Sequence, residues 1–261
     1  MLIRNISLIV IITVMILIFP YQVIAKQNNF SFPKSIVYKI IKQNRILGST
    51  LFRLSKKGER KPYRLTMSDF KGFGFNLKVN WVSEIKSTDF SLIASYIVNN
   101  KKQHLQEFYF KAEKGLLGNS IFIHKSMDDN STKTITEVAS PYTVIDFLSS
   151  FLVLSKKVSV SNDRPERYNL FIGKTTYIVD SSVEKNIFYS HKNQQKNTSK
   201  VTLKYFFDIK DNSAKQKGSE SIDLVVFYIY NDIATGVWYP ICIKIEDENG
   251  EKYELIADKI L

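Results

Sequence analysis

The sequence predicts a mostly antiparallel β fold with one central helix. Three observations carry that expectation. Beyond Pro33 most segments alternate apolar and polar residues, or run apolar for a few residues, as strands with one or two buried faces do. Short polar clusters separate these segments at hairpin spacing. One stretch, VIDFLSSFLVL from Val144 to Leu154, repeats its apolar residues at helical spacing instead.

The chain opens differently from the rest. Arg4 lies in a short positive start, and Ile6 to Phe19 is an apolar run in which only Ser7 and Thr13 are polar. Pro20 breaks the run, and Val23-Ile24-Ala25 supplies short residues before a cut. That order is the order of a secretory signal peptide over residues 1–25, with a mature start at Lys26. The run falls short of the about 20 residues that span a bilayer, so an uncleaved anchor over Ile6 to Ala25 is the alternative. Export implies a periplasmic location. The single Cys cannot form an internal disulfide, which points to a bacterial envelope rather than a disulfide-built scaffold.

Residues 33–261 read as a single β-rich domain, since no fixed repeat and no Pro/Gly-rich linker divides them. Ser35 to Lys42 and Ile46 to Leu54 flank the polar turn Gln43-Asn44-Arg45 and predict a hairpin. Tyr63 to Phe70 and Phe75 to Val82 follow, then Leu92 to Val98 and Leu105 to Lys111 around Asn99-Asn100-Lys101-Lys102, then Gly118 to His124. Val201, Leu203, Tyr205, Phe207 and Ile209 alternate with polar residues and place five apolar side chains on one strand face. Ile222 to Tyr230 is apolar at successive positions and is expected at the centre of the sheet. Tyr239, Ile241, Ile243 and Ile245 alternate again, and Asp247 to Gly250 turns the chain into a last strand, Lys252 to Ala257. Ser190 to Lys200 and Lys210 to Ser219 hold almost no apolar residue and are expected to be long loops.

The helix is expected from Pro141 to about Ser155. Ser140 is a suitable cap and Pro141 a suitable first helical residue. Val144, Phe147, Leu148, Phe151 and Leu154 form the apolar face, with Asp146, Ser149, Ser150 and Lys157 opposite. Asp146 near the start and Lys156-Lys157 at the end match the helix dipole.

Signals for chemistry are few. His104, His124 and His191 lie far apart, none at metal-ligand spacing, so no metal site is expected. Cys242 sits among apolar neighbours with no His nearby, the setting of a buried small residue rather than a nucleophile. No Gly-x-Ser-x-Gly or Ser-x-x-Lys motif stands in a suitable context, and Gly72-Phe73-Gly74 opens no strand-to-helix phosphate loop. The chain is therefore read as non-enzymatic and without a cofactor. It has 37 Lys and Arg against 25 Asp and Glu, a net charge of +12. The densest basic stretch, Arg53 to Arg64, holds Lys56, Lys57, Arg60, Lys61 and Arg64. It is either a solvated turn or a contact for anionic headgroups; nucleic acid is not an expected partner of an exported protein. Phe147, Leu148, Phe151, Tyr205 and Phe207 are either a closed core or the lining of an apolar ligand site between sheet and helix.

Several segments together resemble the exported bacterial family termed domain of unknown function 3108. They are Val37-Tyr38-Lys39 leading to Leu47-Gly48-Ser49, the Asp-x-Leu-Ser helix at Asp146-Phe147-Leu148-Ser149, and the strand of the Trp-x-Pro type at Trp238-Tyr239-Pro240. The resemblance covers most of residues 35–257. It implies a curved antiparallel sheet or partly open β-barrel with the helix against its concave face, similar to periplasmic lipoprotein and lipid carriers. The function expected on this basis is an envelope protein that binds a lipid, lipoprotein or other apolar ligand between sheet and helix. The alternative is an interaction module for a protein partner in an envelope assembly, with only peripheral membrane contact once the signal is removed.

Overall fold

Two-residue turns set up the β architecture. Gln43 and Asn44 both take left-handed φ, 48° and 62°, the geometry that lets a tight turn follow strand twist. They join β1 (Ser35–Lys42) to β2 (Arg45–Lys56). The computed structural model describes residues 30–56, 62–72, 75–88, 90–99, 104–111, 120–127, 133–140, 142–172, 175–205, 223–246 and 251–261. The meander runs on through β3 (Tyr63–Gly72), β4 (Phe75–Ile85), β5 (Leu92–Asn99), β6 (His104–Lys111), β7 (Ser120–Met127) and β8 (Lys133–Ser140). Next come β9 (Thr143–Asp146) and helix α1 (Phe147–Ser159). A second meander follows: β10 (Arg167–Ile172), β11 (Thr175–His191), β12 (Gln194–Tyr205), β13 (Asp223–Asp232), β14 (Val237–Glu246) and β15 (Lys252–Ile260).

All these strands form one 15-stranded sheet, ordered β8-β7-β6-β5-β4-β3-β2-β1-β15-β14-β13-β12-β11-β10-β9. The last strand therefore pairs back with the first, Ile36 opposite Ile260, and joins the two meanders. Among the described strands only β9 and β10 run parallel. The sheet curls until β9 faces β5, making a nearly closed barrel around α1. Bulges supply much of that curl. Register shifts at Val37/Tyr38, Met67/Phe70, Glu84/Ile85 and Tyr228/Ile229 each add local twist.

The helix begins later than the sequence predicts. Thr143, Val144 and Ile145 are extended in β9, and Asp146 is the cap. β-Branched residues favour strand, and here a parallel partner, β10, takes their backbone groups. Asp146 Oδ1 accepts the Ser149 N–H at 2.6 Å, and Ser149 Oγ accepts the Asp146 N–H at 2.9 Å, a reciprocal capping box. The face expected to be polar is buried as well: Asp146, Ser149, Ser150 and Lys157 are all at 5% exposure or less. A helix inside a barrel has wall on every side, so its polar residues must find partners in the interior.

The core is aromatic. Phe151 meets Tyr38, Phe52, Phe147 and Phe227 at ring-centroid distances of 5.7, 5.4, 5.2 and 5.9 Å. Phe147 also meets Trp81 and Phe70 at 5.8 and 6.4 Å.

Ser190 to Lys200 is not a loop. β11 and β12 continue as a hairpin through it, turning at Lys192 and Asn193, with φ of 49° and 62°. A bulge at Asn186, φ 56°, bends this arm over the outside of the wall. The Tyr189 ring then packs at a tilt on Tyr228 of β13, centroids 4.5 Å apart, and Lys192 Nζ donates to the Asp258 carbonyl of β15. The sequence read as loop because the arm has one solvent face and a partly polar inner face. Lys210 to Ser219 lies outside the described residues. β13 lies inside the sheet order as expected, but it is fully buried only at alternate positions, Val225, Phe227 and Ile229.

Candidate functional site

One rim of the barrel, called here the near rim, is formed by the start of β1 and β14 and the ends of β2, β13 and β15. The C-terminal end of α1 emerges beside it. Lys157, in the last turn, is only 5% exposed. Its ammonium donates to the Arg164 carbonyl at 2.7 Å and pairs with Glu166 at 3.1 Å. Tyr168 also donates to Glu166. Burial by itself would raise the Glu166 carboxyl, yet the bonds from Tyr168 and Lys157 outweigh it and hold the group below its ordinary value.

Beside this network lies an open groove of about 490 Å³, a size typical of small-ligand sites, roughly 300–1,000 Å³. Five elements and one turn build it. Val158 and Ser161 come from the end of α1, Lys185 and Asn186 from the bulge in β11, Gln195 to Ser199 from β12, and Ile229 to Asn231 from β13. Trp238 of β14 and Ile233 of the β13–β14 turn complete it. Asp232 anchors that turn through the Gly236 N–H at 2.7 Å, with Gly236 at a left-handed φ of 67°. The turn leaves Ile233 89% exposed. Lys196 Nζ lies 5.1 Å from the Tyr230 ring centre, a cation over an aromatic face. Asn231 Oδ1 is shielded from solvent and has no hydrogen-bond partner. The groove thus sets Ile233 and Trp238 beside the polar side chains of β11 and β12.

A second polar constellation is sealed inside. Asp146 Oδ2 accepts from Ser83, from Ser95 at 2.5 Å and from Trp81 Nε1 at 3.1 Å. All four side chains are at 0% exposure. The cluster ties the start of α1 to β4 and β5 across the barrel seam. It admits no solvent, so its work is to hold the helix in place.

The expected ligand-lining residues are not brought together as a site. Phe147, Leu148 and Phe151 are each at 0% exposure, and the two Phe rings pack on other rings of the barrel. Tyr205, at the end of β12, stands edge-on to Tyr177 at 5.8 Å. Phe207 lies outside the described residues. Among the expected headgroup contacts, Lys56 lies 5.1 Å from the Tyr63 ring centre. Arg64 is engaged by Glu84 at 3.0 Å and the Tyr96 hydroxyl at 2.6 Å. Lys57, Arg60 and Lys61 lie outside the described residues. The groove itself was not legible beforehand, because Trp238, Ile233 and Lys196 converge only through the β11–β14 register. Asp232 to Gly236 was the one readable trace, a turn that forces Ile233 outward.

Cys242 is buried at 0% exposure, and burial pushes its thiol up to about 11. His191 on the arm is held below its usual value, first by burial and then by Lys192 and Lys196 nearby. Among the described residues no three His, Cys, Asp or Glu side chains come together as a metal-ligand set. Among them also, no helix is long and apolar enough to cross a membrane.

The chain is a β-barrel protein with an internal helix and a groove at one rim. No family model and no curated protein matches it. Two solved structures are similar in part. One is a β-barrel-like protein of domain of unknown function DUF1849 from Brucella abortus, with 10% identity and a TM-score of 0.48. That match covers 88% of this chain and 97% of the other. The second is a DUF1329 family protein from Desulfovibrio piger, with 12% identity and a TM-score of 0.25, covering 88% and 85%.

Proposed function

We propose that this protein is an exported, non-enzymatic component of the bacterial cell envelope that binds an amphipathic ligand in the near-rim groove. The groove carries the reading. Ile233 and Trp238 suit an acyl chain, while Lys196 suits a polar head that carries negative charge. On this reading the ligand lies in the groove at the end of the helix, outside the closed aromatic core. The signal-like N-terminus and the resemblance to domain of unknown function 3108 support the location. Phe188, 71% exposed on the outer face of the β11–β12 arm, supports a second reading as a surface for an envelope protein partner.

Native mass spectrometry of the protein from its host envelope, followed by the denatured intact mass, tests the reading. A native mass above the denatured one, with lipid released on denaturation, is expected. Trp238→Ala should then lose the adduct, whereas Phe188→Ala should keep it. Equal native and denatured masses, with no change in Trp238 fluorescence on titration with lysophosphatidylglycerol, would overturn it. The denatured mass also tells whether the chain starts at Lys26.

A further inference from the structure

The near rim has a second property that does not depend on what fills the groove. Its unmatched charge is positive on balance. Lys34 precedes β1, Arg53 lies opposite Ser35, Lys86 follows β4, Arg164 lies between α1 and β10, and Lys259 lies opposite Val37. All five are exposed, and among the described residues none has an ion-pair partner. The rim's acids, by contrast, are engaged within the protein. Glu84 pairs with Arg64, Asp163 with Lys185 and Glu166 with Lys157. Asp232 accepts from the Ala234 N–H and the Thr235 hydroxyl of its own turn.

The same rim exposes apolar side chains. Ile233 at the β13–β14 turn is 89% exposed, Ile260 at the end of β15 is 45% exposed and Val160 at the helix end is 44% exposed. Isolated exposed apolar residues need no explanation, but here three sit at one end of the barrel amid unpaired cations. The chain also joins the barrel there. Ser31 bridges Val237, and its carbonyl accepts the Trp238 N–H at 2.9 Å.

We infer that the near rim is a docking surface for an anionic phospholipid bilayer. Lys34, Arg53, Lys86, Arg164 and Lys259 meet the headgroups, and Ile233, Val160 and Ile260 enter the interface between them. Cations gather the anionic surface over a Debye length, and apolar tips add a short-range, salt-insensitive contribution. The pairing of Glu84, Asp163 and Glu166 is what leaves the rim attractive to anions, because the five unpaired cations outnumber Asp232, the rim acid without a cationic partner among the described residues. Docking this way turns the groove mouth toward the membrane.

The full-length chain with an environment-sensitive fluorophore tests this. Cys242 is buried, so a label enters at Ile233→Cys on the near rim or at Ile46→Cys on the opposite one, where β1 turns into β2. Vesicles of phosphatidylglycerol and phosphatidylcholine should shift the Ile233→Cys label to the blue and bring it within reach of a lipid-borne quencher, while the Ile46→Cys label stays aqueous. Vesicles of phosphatidylcholine alone should give neither signal. Reversing Lys34, Arg53 and Lys259 to Glu should weaken partitioning by about a hundredfold or more. An N-terminal tether acting alone would not respond to those reversals. A label response equal at both rims, a response confined to Ile46→Cys, or one that survives the triple reversal would overturn the inference. Groove occupancy is read separately, from the native mass of the same charge-reversed variant.

Discussion

Truncating Phe151 to Ala asks whether the centre of the barrel is a filled core. The ring is at 0% exposure and contacts four other rings within 5.9 Å. A buried Phe→Ala change costs about 3–5 kcal/mol, as lost transfer energy plus the cavity left behind. The ring contacts add to area burial by about 0.5–1.5 kcal/mol per aromatic pair, which puts Phe151 at the upper end of that range. A domain of this size loses roughly 2–4 °C of Tm per kcal/mol, so a fall of about 6–20 °C is expected. Thermal unfolding measures that fall and urea unfolding the free energy, both followed by tryptophan fluorescence, since Trp81 lies 5.8 Å from Phe147. Phe188→Ala, at a site 71% exposed, is the control and should stay within about 0.5 kcal/mol of the parent. A loss at Phe151 below about 1 kcal/mol would refute the packed-core account, because it would mean the ring faced a space that closes or refills at little expense.

Other expectations follow from the polar groups. Asp146→Asn replaces one acceptor oxygen with a donor that must face either the Ser149 amide or the Trp81 indole. A loss of about 1–3 kcal/mol is expected by chemical denaturation, with far-UV circular dichroism unchanged. Glu166 is depressed in the folded protein, so its contribution is complete above the ordinary value of 4.5 and is lost as pH falls through the folded value. The stability gap between the parent and Glu166→Gln should be level from neutral pH down to about that point and shrink below it, read from urea midpoints across pH. A thiol raised to about 11 by burial should resist maleimide near neutral pH. Cys242 should then take one label only in denaturant, which intact mass will show.

Strand after strand was legible because one face of each is core and the other is not. Tyr239, Ile241, Ile243 and Ile245 alternate in sequence and all are buried, so their period of two could be read directly. Helical spacing in Phe147, Leu148, Phe151 and Leu154 was legible for the same reason. The start of that helix was not. Ser140-Pro141 is a good local cap, but β10 offered Thr143 to Asp146 a parallel partner, and Ser83, Ser95 and Trp81 waited for the Asp146 carboxylate. Those groups are distant in sequence and could not be weighed from one segment.

By itself, then, the sequence determined the β class, the place of most strands along the chain and the apolar positions at which alternating strands and the helix face the core. Each of these follows from local periodicity, which reports whether a residue meets water. Tertiary structure decided what the burial is for. It turned Phe147 and Phe151 into a packed core, folded the polar stretch Ser190 to Lys200 into an arm, and gathered Trp238, Ile233 and Lys196 into a groove. Convergence of that kind depends on register and bulges along the whole sheet, and no single stretch of chain encodes it.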